Sequence, residues 1–371
     1  MPTEVLKVDP VSPDSAVIEK AASFIRQGKI VAIPTDTVYG LAVDFGNPQA
    51  MKRLYELKKR PLNKPFTIAV ASEESLERLT RDAGPLAYKL MERFWPGPLT
   101  LVLKSAGLIG NTGDEHSSTT YGEPSRTTIG LRLPNNRVAL RIIEESGCAV
   151  ALPSANYSGQ NPACDAREVL SALKDSIDLI IDAGKVELGV ESTVVDLSTA
   201  NFKILRQGAV SKAEIEALAK LKKVLFVCTG NSCRSVMAEG LLKKALKDKN
   251  RLDVEVLSAG ISAYGGQPAT QETLRLLAKA GAGVYEAHYS RRITKPMLYS
   301  SDLILAMENI HEEHILNMAP AVRSRLYLLK EFAKIPEIDL NIPDPIGQST
   351  AFYEMTFSAI KEAVEKIVEL V

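Results

Sequence analysis

The sequence predicts two α/β domains in tandem, a mixed and twisted sheet with helices in the first half and a doubly wound parallel sheet in the second. Three observations predict it. A chain of 371 residues is too long for one ordinary hydrophobic core. Its second half alternates short apolar runs with helical patterns, which argues for parallel strands covered on both faces. Its first half carries several apolar strands with no obvious crossover helix between them, so its sheet is mixed rather than cleanly doubly wound.

In chain order, residues 15–27 read as a helix stopped by Gly28, and 30–33 as a strand. Residues 50–59 are helical, and 66–70, 99–103 and 129–133 read as strands. Ser211-Lys212-Ala213-Glu214 is a capping box that opens a short helix over 215–221. The domains are therefore set at 1–210 and 223–371, joined by a short helical linker at 211–222 rather than a Gly/Ser tether. Beyond it, 224–227 form a bare apolar strand and a helical pattern runs on from Val236. Strands at 254–257 and 303–306 alternate with a helix at 271–280, and an amphipathic helix closes the chain at 351–371.

The 45 basic and 45 acidic residues balance, so no whole-chain field points to nucleic acid or membrane. The start Met1-Pro2-Thr3-Glu4 has neither a basic nor an apolar region of a signal peptide. No apolar run is long enough to span a bilayer. The 4 cysteines fall two by two into the halves, and a thiolate enzyme needs a reducing compartment, which suggests the cytoplasm. Cys148 and Cys164 have no partner motif and read as core thiols. His311 and His314 lie beside Glu312 and Glu313; a solvated helix face is preferred to a metal site. No cysteine pair has zinc spacing, so no metal is assigned to the protein alone.

Chemistry concentrates in Cys228-Thr229-Gly230-Asn231-Ser232-Cys233-Arg234-Ser235. A cysteine ends a buried strand, an arginine begins a helix, and Gly and Asn between them can take left-handed conformations. Such a loop turns N–H groups inward as an anion nest, and the helix N-terminus adds positive potential. A thiolate at its base would have a lowered pKa and act as nucleophile. Arg234 would grip two phosphate oxygens as a fork. Cleaving a phosphoester also needs an acid for the leaving group and a base for water, and Asp344, in a turn-rich Asn-Ile-Pro-Asp-Pro stretch, suits both. The pattern describes phosphoryl transfer onto sulfur.

From about Lys222 onward the chain resembles the low-molecular-weight protein tyrosine phosphatase family. The matching stretches are 224–235, Ser258-Ala259-Gly260, 301–307 and Asp344-Pro345. The resemblance implies that Cys228 is the nucleophile, Arg234 binds the phosphoryl oxygens and Asp344 protonates the leaving group. It implies that Ser235 hydrogen-bonds the thiolate and that Asn231 and Ser258 hold the loop, of which Gly230, Ser232 and Cys233 are further members. Cys233 suits a reversible disulfide with Cys228, or packing alone. Val236 stands where many members have Pro. No cofactor is expected here, and the substrate is a phosphorylated protein side chain. Ser232 is small and polar where tyrosine-directed members carry a bulkier apolar residue. Ile346-Gly347 also replaces the usual aromatic pair. Both favour phosphoarginine over phosphotyrosine, with phosphotyrosine kept open.

In the first half, four stretches place polar groups at the ends of strands or helices: 34–40, Lys58-Lys59-Arg60, Ser154-Ala155-Asn156 and Glu191-Ser192-Thr193. Hydroxyls, an amide and clustered cations in one cleft suit a phosphate-bearing ligand, although no Walker-type loop is present. By chemistry alone this is an anion site, and each piece also has an ordinary structural reading.

Residues from about Leu6 to Ser211 resemble the YrdC-like threonylcarbamoyl-AMP synthase domain. The shared pieces add 95–100, Arg132 within 130–134, 191–196 and 205–208 to those stretches. The resemblance implies condensation of L-threonine, bicarbonate and ATP into threonylcarbamoyl-AMP and pyrophosphate, with ATP as a substrate alongside magnesium. It places Lys58, Arg60, Thr128, Ser154, Asn156 and Arg206 on the ATP side, and Thr35, Arg132 and Ser192 on the threonine side. The product feeds threonylcarbamoyladenosine in tRNA, so RNA or the transfer machinery is a further partner. The rival reading is a non-catalytic RNA- or nucleotide-binding module fused to an active phosphatase. Three departures stand out. Phe66-Thr67-Ile68 lacks a histidine found in some members, Leu152 replaces a small residue, and residues 105–127 form a long loop, either a lid or an inserted flexible segment.

Overall fold

The computed structural model describes residues 2–62, 64–72, 74–81, 83–107, 127–282 and 288–371. These residues form two compact units, with the main division between Ile215 and Glu216. That division falls within the helix Lys212–Lys220, whose start is held by a Ser211–Glu214 capping pair.

The first unit is built on ten strands: β1 (Glu4–Lys7), β2 (Val31–Ile33), β3 (Gly40–Asp44), β4 (Thr67–Ala69), β5 (Leu99–Lys104), β6 (Thr128–Arg132), β7 (Val150–Ala151), β8 (Leu179–Asp182), β9 (Thr193–Asp196) and β10 (Lys203–Arg206). They form one sheet in the order β1-β8-β2-β3-β7-β4-β6-β5-β9-β10. Pairing is parallel between β1 and β8, β8 and β2, β4 and β6, and β5 and β9, and antiparallel elsewhere. The sheet is therefore mixed, as the absent crossover helices require.

Asp14 caps the helix Ser15–Arg26 by accepting from the N–H of Ala16, and Ile18, Ala21, Ala22 and Ile25 line its buried face. The face packs with Val31 and Ile33 of β2, Leu179 and Ile181 of β8, and the helix Arg137–Ser146. Each fully buried aliphatic side chain there contributes roughly 1.5–3 kcal/mol against exposure. Gly28 turns the chain out of the helix at φ 74, where a Cβ would lie 2.6 Å from the Asn47 amide.

The second unit has four parallel strands, β11 (Lys222–Cys228), β12 (Val254–Gly260), β13 (Leu303–Ala306) and β14 (Leu326–Leu328), in the order β12-β11-β13-β14. The bare apolar run of β11 is what a strand buried on both faces needs. Val224 and Phe226 face a core with the helices Arg234–Asp248 and Thr350–Ile367, while Leu225 and Val227 face one with β13 and the helix Asn309–Met318. Strand alternation thus makes two cores from one strand. Cys228 is left at the carboxyl end of β11, the edge where open α/β sheets bind ligands.

Candidate functional site

In the first unit a cavity of about 780 Å³ opens over the sheet. Thr35, Lys58, Arg60, Thr128, Arg132, Ser154, Asn156, Ser192 and Arg206 all line it, so nine residues spread over 172 positions of sequence converge. Its described lining carries five cations, these four and Lys64, against the single carboxylate of Glu191. Such a wall favours an anion.

Lys58 ends the helix Pro48–Lys58, and the left-handed Lys59 (φ 48) turns the chain away. The Lys58 ammonium is buried and donates to the carbonyls of Ser154 and Asn156 at 2.7 and 2.6 Å and to Asn156 Oδ1 at 2.9 Å. Burial, and then the neighbouring Arg60, pull its pKa down to about 8. All three ammonium hydrogens are taken by the 154–156 turn, so Lys58 shapes that turn first. Ser154 Oγ donates to the same Asn156 oxygen at 2.7 Å. Arg60 arches back, donating to the carbonyls of Lys64 and Pro65.

Arg132, at the end of β6, is gripped on three atoms. Its Nε donates to Gly97 O at 3.0 Å, Nη1 to Thr37 Oγ1 at 2.8 Å and Nη2 to Asp36 Oδ1 at 2.6 Å. A guanidinium has five N–H bonds. One on each terminal nitrogen has no partner among the described residues and is left to meet an oxygen acceptor. Ser192 Oγ lies 2.9 Å from Thr100 Oγ1 and accepts from Arg206 Nη2 at 3.1 Å, while Arg206 also holds Glu191 at 2.6 Å.

In the second unit the loop after β11 closes around sulfur. Cys228 Sγ lies 3.0 Å from Ser235 Oγ and accepts the N–H of Asn231 at 3.3 Å. Asn231 takes the left-handed conformation (φ 53) and is wholly buried. Its Oδ1 accepts the N–H of Arg291 at 2.9 Å, which fixes the amide. Its Nδ2 then donates to Ser235 Oγ at 3.0 Å and Ser258 Oγ at 2.8 Å. Ser235 therefore turns its own hydrogen towards Cys228, the arrangement a thiolate requires. Ser258 donates onward to the buried carboxylate of Glu239.

Arg234 is the first residue of the helix Arg234–Asp248 and only 1% exposed. Its Nη1 donates to Glu308 and to Ile342 O at 2.8 Å; its Nη2 donates to Asp344 Oδ2 at 2.5 Å and Thr229 Oγ1 at 3.2 Å. Two carboxylates thus occupy the guanidinium that an oxyanion would engage.

Comparison with known proteins follows this division. The family model described as "Telomere recombination", Sua5_yciO_yrdC, matches residues 23–208. The model described as "Low molecular weight phosphotyrosine protein phosphatase" matches residues 223–371. A threonylcarbamoyl-AMP synthase of Pyrococcus abyssi is 35% identical over 284 residues, covering 73% of this chain and 78% of that protein. One of Bacillus subtilis is 37% identical over 210 residues, 57% of this chain and 58% of that protein. The crystal structure of Pyrococcus abyssi Sua5 complexed with L-threonine is 27% identical with a TM-score of 0.53, covering 88% of this chain and 99% of that one. The chain belongs to the Sua5/YciO/YrdC family. It is a fusion of a YrdC-like domain with a low-molecular-weight phosphatase domain.

Several expectations need correction. His311 is not on a solvated face: it is fully buried, with Nε2 2.9 Å from Thr229 Oγ1 and Nδ1 accepting the N–H of Glu308 at 3.0 Å. Only the exposed neighbours of a helix show in its sequence, so an inward histidine among glutamates is hidden. Burial pushes the Cys228 thiol up rather than down, opposed by the Ser235 hydroxyl, the Arg234 charge and the Asn231 N–H. Of the two residues thought free to go left-handed, only Asn231 does so; Gly230 does not have positive φ. Cys148 and Cys164 are half-buried rather than fully buried: Cys148 packs at the margin of the first unit's core, and Cys164 lies just before the helix Ala166–Leu173. Most of the expected long loop, 108–126, lies outside the described residues.

Cys233 stands at the N-cap position of the helix Arg234–Asp248 as a free thiol that makes no capping bond, 3.4 Å from Thr270 Oγ1 and 3.5 Å from Tyr353 OH. Sequence reasoning passed over Asp36, Glu239, His288 and Glu308. His288 meets Asn231 O at 2.9 Å, and the others hold Arg132, Ser258 and Arg234. For Glu308 a signal existed: an acidic residue directly after the apolar strand 303–306 and Met307, at the ligand-binding edge.

Proposed function

We propose that the chain is a bifunctional enzyme. Its first domain forms threonylcarbamoyl-AMP and pyrophosphate from L-threonine, bicarbonate and ATP; its second hydrolyses phosphorylated protein side chains through phosphocysteine. The first activity rests on the convergence of Lys58, Arg60, Arg132, Ser192 and Arg206 on one cationic cavity. In this reading the free N–H pair of Arg132 takes the threonine carboxylate. The threonine amine attacks the carbon of bicarbonate, water leaves, and the resulting carbamate oxygen attacks the α-phosphate of ATP. Pyrophosphate departs with the P–O bond, towards Arg60 and the 154–156 turn that Lys58 holds. The domain works by orienting small reactants and neutralising charge. Magnesium fits as an ion carried by the phosphate oxygens, since Glu191 is the one carboxylate of the described lining. Purified protein releasing pyrophosphate only with threonine and bicarbonate present tests this. ATP or RNA binding without that release would turn the domain into a binding module.

The phosphatase reading rests on the Cys228–Ser235–Asn231 chain, which directs a hydroxyl hydrogen at sulfur. Sulfur attacks phosphorus, the bond to the leaving group breaks, and Asp344 supplies the leaving group's proton. Water then attacks phosphocysteine, Asp344 takes its proton, and phosphate leaves with the sulfur restored. No cofactor enters these steps. Cys228→Ser must abolish turnover; full activity in that variant would remove the reading. Phosphoarginine is the preferred substrate over phosphotyrosine, on the small polar Ser232 and on Ile346, a half-exposed aliphatic where an aromatic wall would stand. Turnover of the two phosphoamino acids by the same preparation decides between them. A thiol nucleophile needs a reducing compartment, which supports the cytoplasm as the site of action. The first domain's product directs it to the enzymes that modify tRNA.

A further inference from the structure

We propose that Thr229 donates its hydroxyl hydrogen to an oxygen of the phosphoryl group bound over Cys228, and that the buried His311 is the positioning residue that turns it there. The inference rests on the phosphatase reading and adds a donor beyond the loop amides and Arg234.

The direction of each hydrogen follows from the partners. The backbone N–H of Glu308 lies 3.0 Å from His311 Nδ1, and an amide nitrogen only donates, so Nδ1 carries no hydrogen. Burial, with the Arg234 charge beside it, keeps the ring neutral at ordinary pH. A neutral ring with a bare Nδ1 has its hydrogen on Nε2. That nitrogen lies 2.9 Å from Thr229 Oγ1, so the histidine donates and the threonine accepts. Arg234 Nη2, 3.2 Å from the same oxygen, can only donate as well. Thr229 Oγ1 therefore receives two hydrogens, and its own must point in a third direction. Among the described residues no acceptor stands there.

The oxygen that fills that direction belongs to the ligand. Thr229 directly follows Cys228, is half-buried, and accepts from Nη2 of Arg234, the guanidinium that would engage an oxyanion. Phosphoryl oxygens accept from every side. A hydroxyl whose lone pairs are both occupied is a donor only, so it discriminates for oxygen acceptors. The helix Asn309–Met318 supplies this from outside the loop, since His311 is its third residue and is locked by the Glu308 capping contact.

Inorganic phosphate is the probe, its dissociation constant measured by calorimetry on the full chain and its inhibition constant in turnover. Thr229→Val keeps the shape and removes the hydroxyl. It is expected to bind phosphate about tenfold or more weakly, the scale of one hydrogen bond to a charged group. Thr229→Ser is expected to bind within about twofold of the unmodified protein, since its hydrogen bond survives. His311→Phe fills the same space without the Nε2 donor and is expected to reproduce the Thr229→Val loss. The double variant is then no weaker than either single one, because both remove one device. Equal phosphate binding by Thr229→Val and the unmodified protein overturns the inference alone. Additive losses in the double variant overturn the role of His311. Should His311→Phe not fold, the Val and Ser pair at 229, outside the core, still decides the donor. An unmodified protein that binds no phosphate overturns the phosphatase reading and this inference together.

Discussion

Arg206 Nη2 lies 3.1 Å from Ser192 Oγ, so a residue assigned to the nucleotide side of the first cavity is bonded to one assigned to the threonine side. Arg206 also donates through Nε to the Ser192 carbonyl at 3.1 Å. A ligand that draws the guanidinium towards phosphate must loosen or reorient Ser192. Arg206→Gln is therefore expected to weaken threonine binding as well as ATP binding, each by about tenfold. Titrating each ligand alone and with the other checks it. A variant that changes ATP binding and leaves threonine untouched would show the two sides to be independent.

In the second domain, Asp344, the acid of the proposed mechanism, is held on Arg234. The acid matters in proportion to how poorly the leaving group departs unaided. Asp344→Asn is expected to cut turnover of a poor leaving group by roughly 10²–10⁴. The loss should be much smaller with p-nitrophenyl phosphate, whose phenolate needs little protonation. Parallel losses on both substrates would place Asp344 in binding rather than proton transfer.

Legibility differed between the two sites for a physical reason. The phosphatase loop is contiguous, so the spacing from Cys228 to Arg234 carries most of its geometry, and β11 announces itself by four successive apolar residues. The first cavity is assembled from the end of the helix Pro48–Lys58, strands β6 and β10 and the segments beside β2, β7 and β9, and a cleft of that kind has no local signature. Thr35, Arg132 and Ser192 were marked by resemblance, whereas Asp36, which holds Arg132 through an ion pair of 2.6 Å, was not. The edge strand β10 went unread because Lys203–Arg206 is mostly exposed and begins and ends on a cation, so it shows no bare apolar run of the kind that marks β13. Residues that serve others, Glu239 behind Ser258 and His311 behind Thr229, were also silent. Their contacts come from packing of helix on loop, which the local pattern does not encode.

Asn231 joins backbone shape to chemistry. It tolerates φ 53, and its amide links Ser235, Ser258 and the Arg291 N–H. Asn231→Ala loses both properties in a buried place and is expected to cost about 2–4 kcal/mol in the unfolding of this domain, with a large fall in turnover. Asn231→Gly restores the backbone freedom alone. It should recover part of the stability and little of the activity, a split readable from denaturant unfolding beside steady-state rates.

His311 also makes the second domain sensitive to acid. Burial first, then the charges of Arg234 and His314 against the opposing Asp344, lower its pKa from 6.5 to about 4. A base kept neutral when folded binds fewer protons than in the unfolded chain, so folding is penalised wherever the unfolded histidine is charged. Its contribution is whole above pH 6.5, declines as the pH falls from 6.5 towards 4, and is gone below. The full change is about 3 kcal/mol. Protonation would also place a hydrogen on Nδ1 against the Glu308 N–H, so the local contact fails with the same titration. His311→Phe removes the titrating group. The stability difference between the unmodified protein and this variant should therefore narrow by about that amount between pH 7 and pH 4. Calorimetric unfolding of both proteins across this range measures it, with the first domain's transition as an internal reference. A gap that stays constant with pH would mean that His311 is protonated in the folded chain or free to leave its pocket.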